Sequence, residues 1–147
     1  AEFNIIGAGD YSNKIKEALK KEIECGKVKI IQFIPNASLP KMMSRWRVIF
    51  LPSRNEGYPT VLEEAMAMGL SSVISRFEGS ENILNKEFLG RIISQDADFE
   101  KNMAKKIVEM LNQNSDRSKI IANAEKYDIE QTIKQEIEIY VKYATTE

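Results

Sequence analysis

Residues 51–67, L-P-S-R-N-E-G-Y-P-T-V-L-E-E-A-M-A, constrain this chain more than any other stretch. Val48-Ile49-Phe50-Leu51, just before the loop, is a short apolar run that reads as a buried strand. Pro52, Gly57 and Pro59 then force a loop, and Thr60 starts a helix. The isolated carboxylate Glu56 therefore falls at the carboxyl end of a strand, beside the positive end of a helix. In open α/β sheets ligands bind in that crevice, and free amides at a helix N-terminus favour phosphate. A carboxylate is badly placed to bind phosphate itself. It is well placed to accept hydrogen bonds from hydroxyls attached near one, which is the chemistry of a sugar nucleotide.

The two neighbouring glutamates on the helix have different prospects. Thr60-x-x-Glu63 fits a capping box, with Thr60 as N-cap and Glu63 folding back onto its amide. Glu64 lies next to Ala65-Met66-Ala67, among small and apolar residues that suggest burial, and a buried carboxylate needs a partner. That partner is either a nearby Lys or Arg or the hydroxyls of a ligand.

Along the rest of the chain strands and helices alternate. Strands are expected at residues 3–6, 28–33, 48–51, 72–75 and 91–93. Helices are expected at 11–24, 39–45, 61–68 and 80–84, and three more close the chain at 99–112, 115–125 and 129–144. Such alternation argues for an α/β fold, a Rossmann-like parallel sheet flanked by helices. At 147 residues the chain is one domain, 1–147, with room for a proper core.

The motif P-S-x-x-E-G-x-P-x-x-x-x-E-A-M-A-x-G resembles the signature of retaining glycosyltransferases of the GT-B fold, classification family 4, with their E-x7-E pair standing here as Glu56 and Glu64. The likeness continues on both sides. Phe3–Gly9 resembles the family's strand and G-x-G turn, and Val28–Pro35 its V-x-F strand. Gly79-Ser80-Glu81 resembles its G-x-x-E loop, and Gly90-Arg91-Ile92-Ile93 its last short strand. The resemblance covers essentially the whole chain, in order.

This resemblance implies a nucleotide-sugar donor site for a UDP- or GDP-linked sugar, and transfer to a glycan, lipid or other acceptor. Glu56 would contact the sugar hydroxyls and help steady the cationic anomeric carbon; Glu64 would hold the ribose hydroxyls. Backbone at Gly57, Tyr58, Pro59 and Thr60 would face the sugar and diphosphate, and backbone around Phe33 and Ile34 the base. Gly7 and Gly9 would form a tight turn near the ligand crevice. Arg54 would approach the diphosphate, pair with a carboxylate, or stay solvated. No metal or other cofactor is expected, because amides, helix dipole and basic side chains supply the charge stabilisation. Ser71, where the family usually has proline, and Phe77-Glu78-Gly79, in place of a more glycine-rich loop, are departures from the pattern.

In the family, an N-terminal acceptor domain and a first strand and helix bearing an Arg and a Lys precede the sequence present here. The chain is thus expected to be the C-terminal half of a GT-B fold without its first strand and helix, and inactive alone. A five-stranded parallel sheet with a tendency to self-associate is the expected outcome. The alternative is a non-catalytic α/β module that binds a nucleotide or serves assembly.

Composition narrows the remaining classes. The net charge is −1 and Lys and Glu are interspersed, so nothing favours nucleic acid as a partner. No apolar run approaches the ~18 residues a membrane span needs. The one cysteine, Cys25, suits a reducing compartment, so the expected location is cytoplasmic, or peripheral at the inner membrane face for the parent protein. With no histidine in the chain, a His-based triad or His zinc site is excluded within it.

Weaker signals have structural readings. Asp96-Ala97-Asp98 imitates a metal-binding D-x-D, but Asp98 stands where the N-cap of the next helix belongs. Trp46 reads as core or edge packing. Lys86 and Arg91 are lesser candidates for the diphosphate. Ile129, Ile133, Ile137 and Val141 recur every four residues, the buried stripe of an amphipathic helix. In the family that helix reaches towards the other domain, so its apolar face is expected to be partly orphaned here.

Overall fold

The computed structural model describes residues 1–144 and divides into two compact units, one from Ala1 to Lys41 and one from Met42 onward. In the first unit β1 (Phe3–Ile6) pairs in parallel with β2 (Val28–Ile31), Phe3 opposite Val28 and Ile6 opposite Ile31. The Gly7 amide extends the ladder onto Ile31 O at 3.0 Å. The G-x-G turn is closed by Ser12, whose Oγ accepts from Gly9 N at 3.0 Å and donates to Gly9 O at 2.6 Å. The single helix expected over 11–24 runs as α1 (Ser12–Ala18) and α2 (Lys20–Glu24), because Leu19 leaves helical angles at φ −106°, ψ 19°. A 3₁₀ turn, Asn36–Ser38, leads into α3 (Leu39–Met43), within which the boundary between the units falls.

The second unit is built on β3 (Val48–Leu51), β4 (Ser71–Ser75) and β5 (Gly90–Ile93), all parallel, with β4 in the centre. Between them run α4 (Val61–Ala67), α5 (Ser80–Ile83) and a 3₁₀ turn, Glu87–Leu89. The register puts Ile49, Leu51, Ser72, Ile74, Gly90 and Ile92 on one face. That face packs on Leu62 and Met66 of α4, Ile83 of α5 and Ile120 of α7 (Arg117–Ala124). Burying a side chain of this kind contributes about 1.5–3 kcal/mol. On the opposite face lies α6 (Phe99–Asn112), which touches all three strands and buries Met103, Ile107 and Met110 outside that cluster.

The five strands thus form two sheets, two-stranded and three-stranded, and not the single five-stranded sheet expected. Among the described residues β1 is hydrogen-bonded only to β2 and β3 only to β4, so no ladder joins the two sheets. The α/β character and the parallel sense of every pair are as expected.

Local chemistry explains the ends of α4 and its contact with α7. Gly69 takes φ +71°, donating to Met66 O at 2.8 Å, while Leu70 donates to Ala65 O at 2.9 Å, a Schellman-type stop. Arg117 of α7 donates to Met68 O at 2.7 Å, satisfying another carbonyl of the last turn. Asp116 caps α7 by accepting from Lys119 N at 3.1 Å. Asp98 does occupy the N-cap position of α6, yet its side chain makes no cap bond; Asp96 Oδ1 instead accepts from Asp98 N at 3.1 Å. Trp46 is half-buried.

The last helix, α8 (Ile129–Ala144), corrects one expectation and keeps another. Ile129, Ile133, Ile137 and Val141 are 47–67% exposed, so the stripe is not buried within the unit. Among the described residues its apolar face is left open, in keeping with the expectation that it is partly orphaned.

Gly90 leaves no room for a side chain between β4 and β5. It takes φ +155° opposite Ser72, and a Cβ there would sit 1.9 Å from Ser72 O. Neither backbone can yield without breaking the β4–β5 ladder. Gly90→Ala should therefore destabilise the protein by at least about 1–3 kcal/mol, read as a lower midpoint in urea unfolding. A change under about 0.5 kcal/mol, the range of ordinary surface substitutions, would show that the strands can separate freely.

Candidate functional site

The parallel sense of the sheet brings the carboxyl ends of β3, β4 and β5 to one edge, and the loop 52–60 leaves from there. Its root is held by two side chains. Ser75, last residue of β4, donates its hydroxyl to Ser53 O and lies 3.3 Å from Leu51 O. Gln95, just past β5, has its Nε2 2.8 Å from Arg76 O, 3.0 Å from Arg54 O and 3.5 Å from Ser53 O. Neither residue was singled out from the sequence. A serine ending an apolar strand and a glutamine after another carry no local motif; only the register makes them neighbours of the loop.

Beyond that root the loop presents Glu56. Its carboxylate is half-buried and makes no hydrogen bond or ion pair among the described residues. The amides of Gly57, Tyr58, Thr60 and Val61 have no acceptor among the described residues, whereas those of Leu62, Glu63 and Glu64 donate to Pro59 O or Thr60 O at 3.0–3.1 Å. Gly57 faces open space: a Cβ there would meet nothing within 4 Å. An uncommitted carboxylate and uncommitted amides thus lie together on one short turn.

The helix glutamates come out differently from their sequence reading. The capping box is not formed, because Thr60 has helical angles, φ −55° and ψ −25°, that keep its hydroxyl from the first-turn amides. Glu63 instead accepts the Tyr58 hydroxyl. Partial burial raises the Tyr58 phenol above its ordinary range, and the bond to Glu63 and the charges of Glu63 and Tyr127 add to the effect. The phenol therefore remains a proton donor to Glu63 at neutral pH. Glu64 is exposed, not buried, and forms no ion pair among the described residues. The helical geometry explains it. Leu62, Ala65 and Met66 point inward, and at about 100° per residue Glu64 lies roughly opposite their mean direction.

Arg54 is exposed and pairs with no carboxylate among the described residues, so the ion-pair reading of it does not hold; its carbonyl is what the fold uses. Arg76 pairs with Glu81 of the G-x-x-E loop, which also accepts from Ser80 Oγ at 3.0 Å. Arg91 is committed to Glu87, at 2.6 Å from its carbonyl and 3.0 Å from its carboxylate. Lys86 lies over the Phe88 ring at 5.8 Å. Arg54, Glu56, Gly57, Tyr58, Pro59, Thr60 and Glu64 therefore share one loop and helix of the second unit. Gly7, Gly9, Phe33 and Ile34 belong to the first unit, where Phe33 is 76% exposed and Ile34 is buried. Among the described residues no cluster of His, Cys, Asp or Glu is arranged to hold a metal ion, and no helix is long and apolar enough to cross a membrane.

Comparison with known proteins bears on the family and the fold. The family model for glycosyl transferases group 1 matches residues 1–127. The chain is 30% identical over 95 residues to the amylovoran biosynthesis glycosyltransferase AmsK of Erwinia amylovora, covering 60% of this chain and 23% of that protein. It is 29% identical over 91 residues to the UDP-Gal:alpha-D-GlcNAc-diphosphoundecaprenol alpha-1,3-galactosyltransferase of Escherichia coli, covering 62% of this chain and 23% of that one. Among solved structures, the pneumococcal O-GlcNAc transferase GtfA, in complex with UDP and GlcNAc, superposes with a TM-score of 0.79 at 16% identity, over 98% of this chain and 30% of that one. That last likeness is one of fold. The chain spans less than a quarter of the length of either curated relative.

The Tyr58–Glu63 contact is testable without any ligand. In a double-mutant cycle of Tyr58→Phe and Glu63→Ala, followed by urea unfolding, we expect a coupling of about 0.5–1.5 kcal/mol. Strictly additive losses would mean that the pair contributes nothing to the loop.

Proposed function

Because the chain belongs to the glycosyl transferases group 1 family, we propose that its second unit binds the diphosphate-sugar end of a nucleotide-sugar donor for retaining glycosyl transfer. The observation that carries this reading is the turn at 56–61, where a half-buried carboxylate adjoins backbone amides, neither with a partner among the described residues, beside open space at Gly57. Such a turn matches a ligand bearing hydroxyls beside an anion. UDP is the nucleotide to try first: one curated relative is named for UDP-Gal, and the GtfA structure holds UDP. GDP is the alternative.

Transfer breaks the bond between the anomeric carbon and the diphosphate oxygen. Negative charge grows on the leaving diphosphate and positive charge on the anomeric carbon. The amides of Gly57, Tyr58, Thr60 and Val61 are donors for the first, and preorganised donors of this kind cost no reorganisation during the reaction; the exposed guanidinium of Arg54 can add to them. Glu56 would orient the sugar through its hydroxyls and steady the cationic carbon. Glu64, exposed one turn along α4, would take the ribose hydroxyls. Charge stabilisation supplied in this way calls for no metal ion. Glycan or lipid acceptors suit the relatives' names, amylovoran and a diphosphoundecaprenol-linked sugar.

Calorimetric titration of UDP, GDP and their sugar conjugates tests these roles. Glu64→Ala should weaken nucleotide binding by about 1.5–3 kcal/mol, the worth of hydrogen bonds to a charged group. Glu56→Ala should weaken the sugar conjugate more than the bare nucleotide. Gly57→Ala should leave stability within about 0.5 kcal/mol and still reduce donor affinity. Glu63→Ala, which removes the partner of Tyr58 but no proposed ligand contact, is the comparison and should weaken nucleotide binding less than Glu64→Ala does. Equal losses for Glu63→Ala and Glu64→Ala would return Glu64 to an ordinary surface charge. The 147 residues alone should bind donor without transferring sugar, since holding an acceptor in line needs a second binding surface; sugar transfer by the purified chain would overturn that expectation.

A further inference from the structure

We propose that Gln95 is a positioning residue for this site: its amide nitrogen clamps the backbone that carries Glu56, and this role rests on the donor-binding reading above. The three atoms facing Nε2 are all carbonyl oxygens, of Arg76, Arg54 and Ser53 at 2.8, 3.0 and 3.5 Å. That identity settles the amide's orientation, since only its nitrogen can donate to them. The two protons serve the two shorter contacts, and Ser53 O is shared with the Ser75 hydroxyl. Three carbonyl dipoles converging at the ends of β3 and β4 would otherwise repel one another. Gln95 replaces that repulsion with two hydrogen bonds, one to each loop. The bond to Arg54 O lies two residues from Glu56, beyond the point where Ser75 holds the loop. Without it, the loop between Ser53 and the buried Pro59 has no other side-chain anchor among the described residues apart from Tyr58 on Glu63.

Gln95 itself is exposed and lies outside the hydrophobic cluster, so its replacement should spare the fold. Gln95→Glu has nearly the same shape but sets a carboxylate against three carbonyl oxygens. Gln95→Leu removes the donors without adding charge and keeps the test alive if the first variant fails to fold. Arg54 is exposed within the clamped loop, so the trypsin cut after it, followed by mass spectrometry, reports how often the loop opens.

We expect that cut to accelerate about tenfold in Gln95→Glu and the dissociation constant for UDP-sugar to rise about tenfold, the loss of one to two hydrogen bonds. The thermal midpoint should fall by no more than the few degrees that the same tenfold loss, about 1.4 kcal/mol, costs a chain of this size. A residue serving only stability would shift the midpoint and leave affinity alone. Unchanged cleavage overturns the clamp, and faster cleavage with unchanged affinity overturns its role in the site. If the wild-type chain binds no UDP-sugar while Gln95→Glu still speeds the cut, the donor-binding reading fails and the role in it falls too, although the clamp itself is seen.

Discussion

Ser75 closes the central strand of the second unit with its hydroxyl turned onto the carbonyls of Leu51 and Ser53, and the position of the candidate site follows from that contact. All five residues of β4 are buried, three of them serines. A buried hydroxyl without a partner costs free energy, so each serine imposes a demand on its surroundings. Ser71 meets it with Ser115, oxygen to oxygen at 2.9 Å. Ser75 meets it with the strand end that leads into Glu56. Ser72 has no partner among the described residues, and it sits opposite Gly90, where the strands lie too close for a β-carbon. A polar central strand thus reaches its surroundings through side-chain hydroxyls at both ends, while backbone ladders to β3 and β5 hold its length.

The same economy sorts the acidic groups around the loop. Glu63, Glu81 and Glu87 are each committed to a neighbour, to Tyr58, Arg76 and Arg91 respectively. Glu56 and Glu64 have no such commitment among the described residues. What distinguishes them is geometry and not charge, since all five are ordinary glutamates. Glu56 sits on a turn whose own amides are unspent, and Glu64 on the side of α4 away from the core. Exposure at Glu64 also removes the need for a compensating cation, which a buried carboxylate would have required.

The open stripe of α8 stands apart from this logic. Its four-residue period is that of a helix meant to cover apolar surface, yet the second unit is already closed by α4, α6 and α7. Exposed aliphatic residues at Ile129, Ile133 and Ile137 therefore do not belong to the core that holds the site.

By itself the sequence determined the alternation of strands and helices, down to the limits of α6 and α8, because hydrophobic period and turn residues act over a few residues at a time. It also determined the loop that bears Glu56, since Pro52, Gly57 and Pro59 admit little else, and the family to which that loop points. It misjudged the capping box at Thr60, where the backbone angle, invisible in a motif, decides whether a hydroxyl can reach the first turn. It misjudged the side of α4 that Glu64 occupies, although the positions of Leu62, Ala65 and Met66 carried that information. The two-sheet arrangement, the tight fit at Gly90 and the hold of Ser75 and Gln95 on the loop were decided only by tertiary structure. Each depends on which strands lie side by side and in what register, and backbone groups brought together from 20 to 40 residues apart leave no local trace in the chain.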